Sequence, residues 1–232
     1  MPTIELDAAC VRVALPGRGH REILAPTSLT LTEPRIGVIG ANGSGKSTLA
    51  RLVNGLVRPS SGRVVVDGLD VARQGAAVRR LVGFCFTDPA AQLVMPTCVE
   101  DIELSLRRTV KDSATRRARA MEVLAGYGLA DHAHDSVHSL SGGQRQLLAL
   151  AGVLAIEPTI VVADEPTTLL DRANTRRVTD VLFALDQQLI LVTHDLDAAA
   201  RCDRVLVVDG GRVVADGSAD EAVAHYVGLV DR

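Results

Sequence analysis

Gly40-Ala41-Asn42-Gly43-Ser44-Gly45-Lys46-Ser47, with Thr48 next, is the stretch on which the reading of this chain turns. It fits the spacing Gly-x-x-x-x-Gly-Lys-Ser/Thr. The apolar run at 36–39 leads into it, and Leu49, Leu52, Val53, Leu56 and Val57 follow it at the spacing of one helix face. Strand, glycine loop and helix in that order make a phosphate cradle. The glycines let the backbone curl so that successive N–H groups point inward at anionic oxygens. The helix start adds partial positive charge. Lys46 has the reach for β- and γ-phosphates, and the Ser47 hydroxyl suits Mg²⁺. Gly40, Asn42, Gly43, Ser44, Gly45, Lys46, Ser47 and Thr48 are therefore the expected nucleotide contacts, with ATP and Mg²⁺ as cofactors.

Outward from this loop, apolar runs recur at 82–86, 160–163, 189–192 and 205–208. With 36–39 they read as parallel strands buried on both faces. Helical patterns fall between most of them, which argues for an α/β sheet. At Asp209-Gly210-Gly211-Arg212 the pattern becomes a hairpin. The first 35 residues differ: alternating runs at 4–13 and 23–31 read as antiparallel strands, joined by 63–66. Strand signals vanish between about 88 and 156, where 113–127 reads as a helix starting at Ser113 and stopped by Gly128. The expectation is one domain over 1–232. Its sheet core and β lobe take about 1–87 and 157–232, and a helical lobe of about 88–156 is inserted.

Composition narrows the function classes. Apolar residues make up 47% of the 232, enough for a full core, but aromatics are only 2%, so few rings are on hand to stack on a base. A net charge of −3 gives no general pull toward nucleic acid, and no nucleic-acid partner is expected. Arg116, Arg117 and Arg119 form a basic run that reads as a solvated helix face. Cys10, Cys85, Cys98 and Cys202 form no CxxC pair, so reduced, buried thiols are expected. No charged-then-apolar leader opens the sequence. The longest apolar stretch, 147–156, is about half of the roughly 20 residues that a membrane span needs. Work at a membrane would require other subunits to hold the chain there.

Three further motifs carry chemistry. The run at 160–163 ends in Asp164 and Glu165. An acid at a strand tip suits the Mg²⁺ shell, which leaves Glu165 to orient and polarise an attacking water. Leu140-Ser141-Gly142-Gly143-Gln144 precedes a helix. Ser141 is an N-cap candidate, and the glycine pair bares N–H groups at a positive helix end, a second anion site. Only the first site has a lysine and a nearby hydrolytic acid. The second therefore suits the γ-phosphate bound by a partner chain, and a two-fold pair would bury two ATP at one interface. Thr193-His194-Asp195 ends the run at 189–192 and places His194 for the γ-phosphate, while Thr168 to Asp171 would lie across the seam.

Taken in this order, the motifs resemble the ATP-binding cassette (ABC) family over nearly the whole chain. In its terms Gly40 to Ser47 is Walker A, Leu140 to Gln144 the signature, Asp164 the end of Walker B, Asp171 the D-loop and His194 the H-loop. The segment Arg58-Pro-Ser-Ser-Gly62 through Asp67-Gly68 and the closing hairpin at 209–217 support the match. The resemblance implies a RecA-like P-loop NTPase core with an antiparallel β subdomain and an inserted α-helical subdomain. It also implies Glu165 and His194 as catalytic residues, and Ser141, Gly142, Gly143 and Gln144 as nucleotide contacts. ATP hydrolysis in a head-to-tail dimer, identical or paralogous, would then move attached membrane subunits.

A narrower resemblance rests on Val82-Gly-Phe-Cys-Phe-Thr87-Asp88-Pro-Ala-Ala-Gln92 and on Thr97-Cys-Val-Glu100-Asp101. It is similar to the ATPases of energy-coupling-factor (ECF) importers, biotin and cobalt uptake among them. That implies a transmembrane T subunit docked on Asp88 to Gln92, a separate substrate-binding membrane subunit, and a peripheral position on the cytoplasmic face of the membrane. The family pattern is broken twice. Thr87 stands where glutamine usually follows phenylalanine, so the third expected metal ligand, beside Ser47 and Asp164, has a shorter reach. No aromatic stands at the adenine-stacking position; Leu15 falls near it, with Arg18 and His20 as alternatives. A non-transport ABC protein and a silent ATP-binding cassette are the competing classes. The single cassette without basic surplus opposes the first. Intact Glu165 and His194 oppose the second, which Thr87 slightly favours.

Overall fold

The computed structural model describes residues 1–17 and 19–231. In chain order the elements begin with β1 (Ile4–Leu15), β2 (Gly19–Leu31), β3 (Arg35–Ile39), α1 (Lys46–Val53), β4 (Ser61–Val66), β5 (Leu69–Asp70), α2 (Val71–Leu81) and β6 (Val82–Cys85). There follow α3 (Cys98–Leu106), α4 (Ser113–Gly126), α5 (Gly142–Leu154), β7 (Ile160–Asp164) and α6 (Arg172–Phe183). The chain continues through β8 (Gln188–Val192), α7 (Leu196–Ala199), β9 (Arg204–Asp209), β10 (Arg212–Gly217) and α8 (Ala219–Val230). They fall into two compact units. One gathers Met1–Gly83, Thr159–Glu165 and the chain from Leu185 on; the other gathers Phe84–Pro158 with Pro166–Ala184.

The first unit holds two sheets. β2-β1-β4-β5 is antiparallel, with Ile4 of β1 opposite both Leu31 and Val66. The other runs β10-β9-β3-β8-β7-β6. β3 pairs in parallel with β8 and β9, and β7 with β8. Every residue of β7 and β8 is buried, as continuous apolar runs require in strands covered on both faces. β9 and β10 form the expected hairpin around Gly210 and Gly211.

Two details differ from the sequence pattern. α1 ends at Val53 rather than continuing through Val57. Gly55 turns left-handed at φ 71°, donating its N–H to Leu52, and leaves Leu56 exposed. α4 is capped by Asp112, not Ser113, because the Asp112 carboxylate takes the Thr115 N–H at 2.8 Å. Gly128, at φ 69°, closes that helix as expected.

The helical unit is built around α5, which is buried from Gln146 to Leu154. The long apolar stretch is thus a core helix, and among the described residues no helix is long and apolar enough to cross a membrane. The basic run of α4 is spent on neighbours. Arg117 pairs with Glu103 at 3.1 Å, Arg119 with Glu122 at 3.1 Å and Glu157 at 3.4 Å, and Arg116 donates to the Val110 carbonyl. All four cysteines are buried thiols outside any disulfide, and burial pushes that of Cys202 up to about 12.

Asp101 of α3 is 6% exposed and accepts the N–H groups of Val94 and Met95 at 2.9 and 3.0 Å. Burial raises its carboxyl above the ordinary range against the pull of those two bonds. A carboxyl raised on folding favours the fold while protonated, and that advantage is lost as pH rises through the folded value. Asp101→Asn keeps the accepting oxygen without the charge. It is expected to match or exceed the parent Tm near neutral pH, with any gain vanishing in acid. Asp101→Ala leaves both N–H groups without their acceptor and is expected to cost about 1–3 kcal/mol. Thermal melts of both variants at neutral and acid pH check this.

Candidate active site

β3 carries the chain into the glycine loop, and β9 forms the wall beside it. Gly40 sits at φ 148°, and the Cβ it lacks would lie 2.0 Å from the Val208 carbonyl oxygen. No side chain fits there without displacing the loop. Gly45, at φ 109°, is the N-cap of α1 and has no side chain to offer the first-turn N–H groups. Those donors suit phosphate oxygens. Ser44 Oγ is buried with no hydrogen-bond partner among the described residues. A cramped backbone curl, an uncapped helix start and an orphaned hydroxyl together fit a polyphosphate.

Lys46 is 4% exposed, and its ammonium donates to the carbonyls of Gly40 and Ala41 at 2.8 and 2.9 Å. The same Nζ lies 3.7 Å from Glu165 Oε1. Asp164, at the tip of β7, is 1% exposed. Its Oδ1 accepts the Ser47 hydroxyl at 2.7 Å, and its Oδ2 pairs with Arg51 at 3.1 Å. Ser47 and Arg51 share a face of α1, four residues apart. The Ser47 and Asp164 oxygens are hard donors, suited to a cation that takes the rest of its shell from phosphate and water.

Glu165 turns away from the strand at φ 50°, unusual for a residue with a side chain, while its N–H stays bonded to Val192 O at 2.9 Å. That turn sets its carboxylate between Lys46 and His194, whose Nδ1 is 3.4 Å from Glu165 Oε2. Five residues expected from sequence, Lys46, Ser47, Asp164, Glu165 and His194, thus meet in one site. Arg51 joins them unforeseen; the four-residue step from Ser47 along a helix was its only signal.

The remaining expected residues lie elsewhere. In the helical unit Ser141 caps α5. Its hydroxyl accepts the Gln144 N–H at 3.3 Å, and Gln144 Oε1 accepts the Ser141 N–H at 2.9 Å. With its oxygen used in this way, Gln144 turns its amide nitrogen to His132 Nε2 at 2.8 Å. His132 then carries its proton on Nδ1 and donates to Asp135 at 2.7 Å. Neither His132 nor Asp135 stood out in the sequence. Thr87, half-buried after β6, also belongs to the helical unit. Asp88 caps the single turn Pro89–Ala91 and is exposed. Gln92 is different: its side chain is tied inward, donating to Ala149 O of α5 at 2.9 Å and accepting from Phe86 N at 3.4 Å. The outward face of this segment is Asp88, Ala90, Ala91 and the 67% exposed Val94. Leu15 and His20 are exposed near the β1–β2 turn, and Arg18 lies outside the described residues.

Comparison with known proteins bears on this geometry. A family model described as ABC transporter matches residues 24–168. A Deinococcus radiodurans protein named for that family is 49% identical over 89% of this chain and 92% of its own length. The biotin transport ATP-binding protein BioM of Rhizobium etli is 45% identical over 90% of this chain and 92% of its own. BioM of Rhodobacter capsulatus is 40% identical over 96% and 94%. Among solved structures, a dimeric ATP-binding cassette in a post-hydrolysis state with ADP and Pi superposes at TM-score 0.83. Its identity is 28%, over 93% of this chain and 98% of that one. A component of the ABC transporter complex cbiONQ from Clostridium perfringens gives 0.81 at 29% identity, over 97% and 92%.

Proposed function

This chain belongs to the ABC transporter family, and on that premise we propose that it is the ATP-hydrolysing subunit of an ECF-type importer for biotin. The observation that carries the substrate is the full-length similarity to two biotin transport ATP-binding proteins. What supports the chemistry is the site itself, where Lys46, Asp164 and Glu165 converge on the glycine loop.

ATP places its phosphates against the N–H groups of the loop and of the start of α1. Lys46 leaves the Gly40 and Ala41 carbonyls for the β- and γ-oxygens. If Mg²⁺ is bound, Ser47 and Asp164 would hold it, with Thr87 as the third, shorter donor that the family pattern implies, and it would neutralise charge developing on the phosphate oxygens. Glu165 orients the water that attacks the γ-phosphoryl group in line, and His194 holds Glu165 and faces the same phosphate. Ser141, Gly142 and Gly143 of a second chain, identical or paralogous, close over the nucleotide and stabilise its charge. The adenine meets the apolar side chain of Leu15 rather than an aromatic ring. A T subunit docks on Asp88, the turn after it and Val94, while a separate membrane subunit binds the vitamin. The chain works as a peripheral protein on the cytoplasmic face of the membrane.

The test is uptake. Membrane subunits that co-purify with the tagged chain are reconstituted with it in vesicles holding ATP, and labelled biotin, cobalt and methionine are offered in turn. Accumulation of biotin alone, lost with Lys46→Ala, is expected. Accumulation of one of the others without biotin contradicts the assignment.

A further inference from the structure

Gly143, the second residue of α5, is buried, and the Cβ it lacks would lie 2.1 Å from Oδ1 and 2.2 Å from Cγ of Asn174. The amide of Asn174 therefore rests directly on the Gly143 backbone. Its other end is anchored. Asp171 caps α6 by accepting the Asn174 N–H at 2.8 Å on one carboxylate oxygen, and it accepts the Asn174 side-chain N–H at 2.9 Å on the other. These bonds hold the Asp171 carboxyl below the ordinary range. Beside this contact, a Cβ on Gly142 would be 3.8 Å from Leu170 and 3.9 Å from the Leu169 carbonyl. Within the helical unit the D-loop and the start of the signature helix are thus interlocked through one side chain. Only a glycine leaves the space that this amide fills.

We propose that Asn174 is a positioning residue for the second phosphate grip. It is a strut between Asp171 and Gly143 that makes the D-loop and the N–H groups of Gly142 and Gly143 move as one piece. Close-packed groups of this kind transmit displacement because they cannot deform freely. A shift of the D-loop at the seam then re-aims the signature N–H groups at the partner's γ-phosphate. Asn174 touches no substrate atom and acts through Gly143. This rests on the head-to-tail reading above.

The experiment measures ATP-driven dimer formation by sedimentation in a Glu165→Gln parent, together with ATP binding to the single chain. Adding Asn174→Ala is expected to raise the ATP concentration for half-maximal dimer by about tenfold. Single-chain affinity, set by Lys46 and its loop, stays at the parent value. Adding Gly143→Ala instead abolishes the dimer, because its methyl group strikes the Asn174 amide. Gly143→Ala with Asn174→Gly restores dimer formation in part. Rescue shows that the two residues meet; Asn174→Ala, which creates no clash, tests the strut itself, and its unchanged single-chain affinity separates that role from loss of the fold. An unshifted midpoint for Asn174→Ala overturns the inference, as does a double variant no better than Gly143→Ala. A parent that forms no dimer overturns the head-to-tail reading instead, and the inference falls with it.

Discussion

Lys46→Ala is expected to abolish tight ATP binding, with affinity falling by about 100-fold or more. The ammonium is nearly water-free, held by the Gly40 and Ala41 carbonyls and facing Glu165. Each charge-assisted hydrogen bond to phosphate is worth about 1.5–3 kcal/mol, and every 1.4 kcal/mol is tenfold in affinity. Losing such bonds to two phosphates therefore exceeds what the N–H groups of the loop can offset. Water can replace the ammonium at the exposed Ala41 but not at the buried Gly40 carbonyl, so a thermal melt of the variant accompanies the titration and separates lost binding from lost folding. Isothermal titration with ATP reads the effect directly. Affinity equal to that of the parent would mean that the glycine loop does not bind phosphate.

Glu165→Gln is expected to lower kcat by about 10²- to 10⁴-fold, the usual contribution of a positioned general base. ATP affinity should hold or tighten. The carboxylate lies 3.7 Å from Lys46, so the substitution removes a negative charge that competes with the γ-phosphate for the same ammonium. Glutamine keeps the shape of the side chain and a carbonyl oxygen for His194, so the site stays assembled while the water loses its base. Phosphate release under single-turnover conditions separates chemistry from binding. Hydrolysis at the parent rate would remove Glu165 from the mechanism.

Much of this was readable in advance, for identifiable reasons. β3, β7, β8 and β9 announce themselves because strands buried on both faces must be apolar throughout. Ser141 was legible as an N-cap, and the structure adds Gln144 as the other half of a capping box. α2 left no such trace: only Val71 and Val78 are buried, and Gln74 departs from helical geometry. The apolar spacing of α1 ran on past its true end because Leu56 and Val57 keep the helix period while Gly55 turns the chain away. In the site, the motif residues were legible because each belongs to a local pattern. Arg51 and His132 were not, because each matters through a partner distant in sequence, Asp164 for Arg51 and Gln144 for His132; Asp135 enters only through His132. Gln92 shows the same limit from the other side. The family resemblance implied an outward contact with a T subunit, and only the fold reveals that Ala149 and Phe86 hold its side chain inward.

Native mass measurement of the Glu165→Gln chain with ATP and Mg²⁺ tests the head-to-tail pair most directly. A dimer carrying two ATP is expected, collapsing to single chains when Gly143→Asp is added. A monomer carrying one ATP, or a dimer that forms equally well without nucleotide, would contradict it.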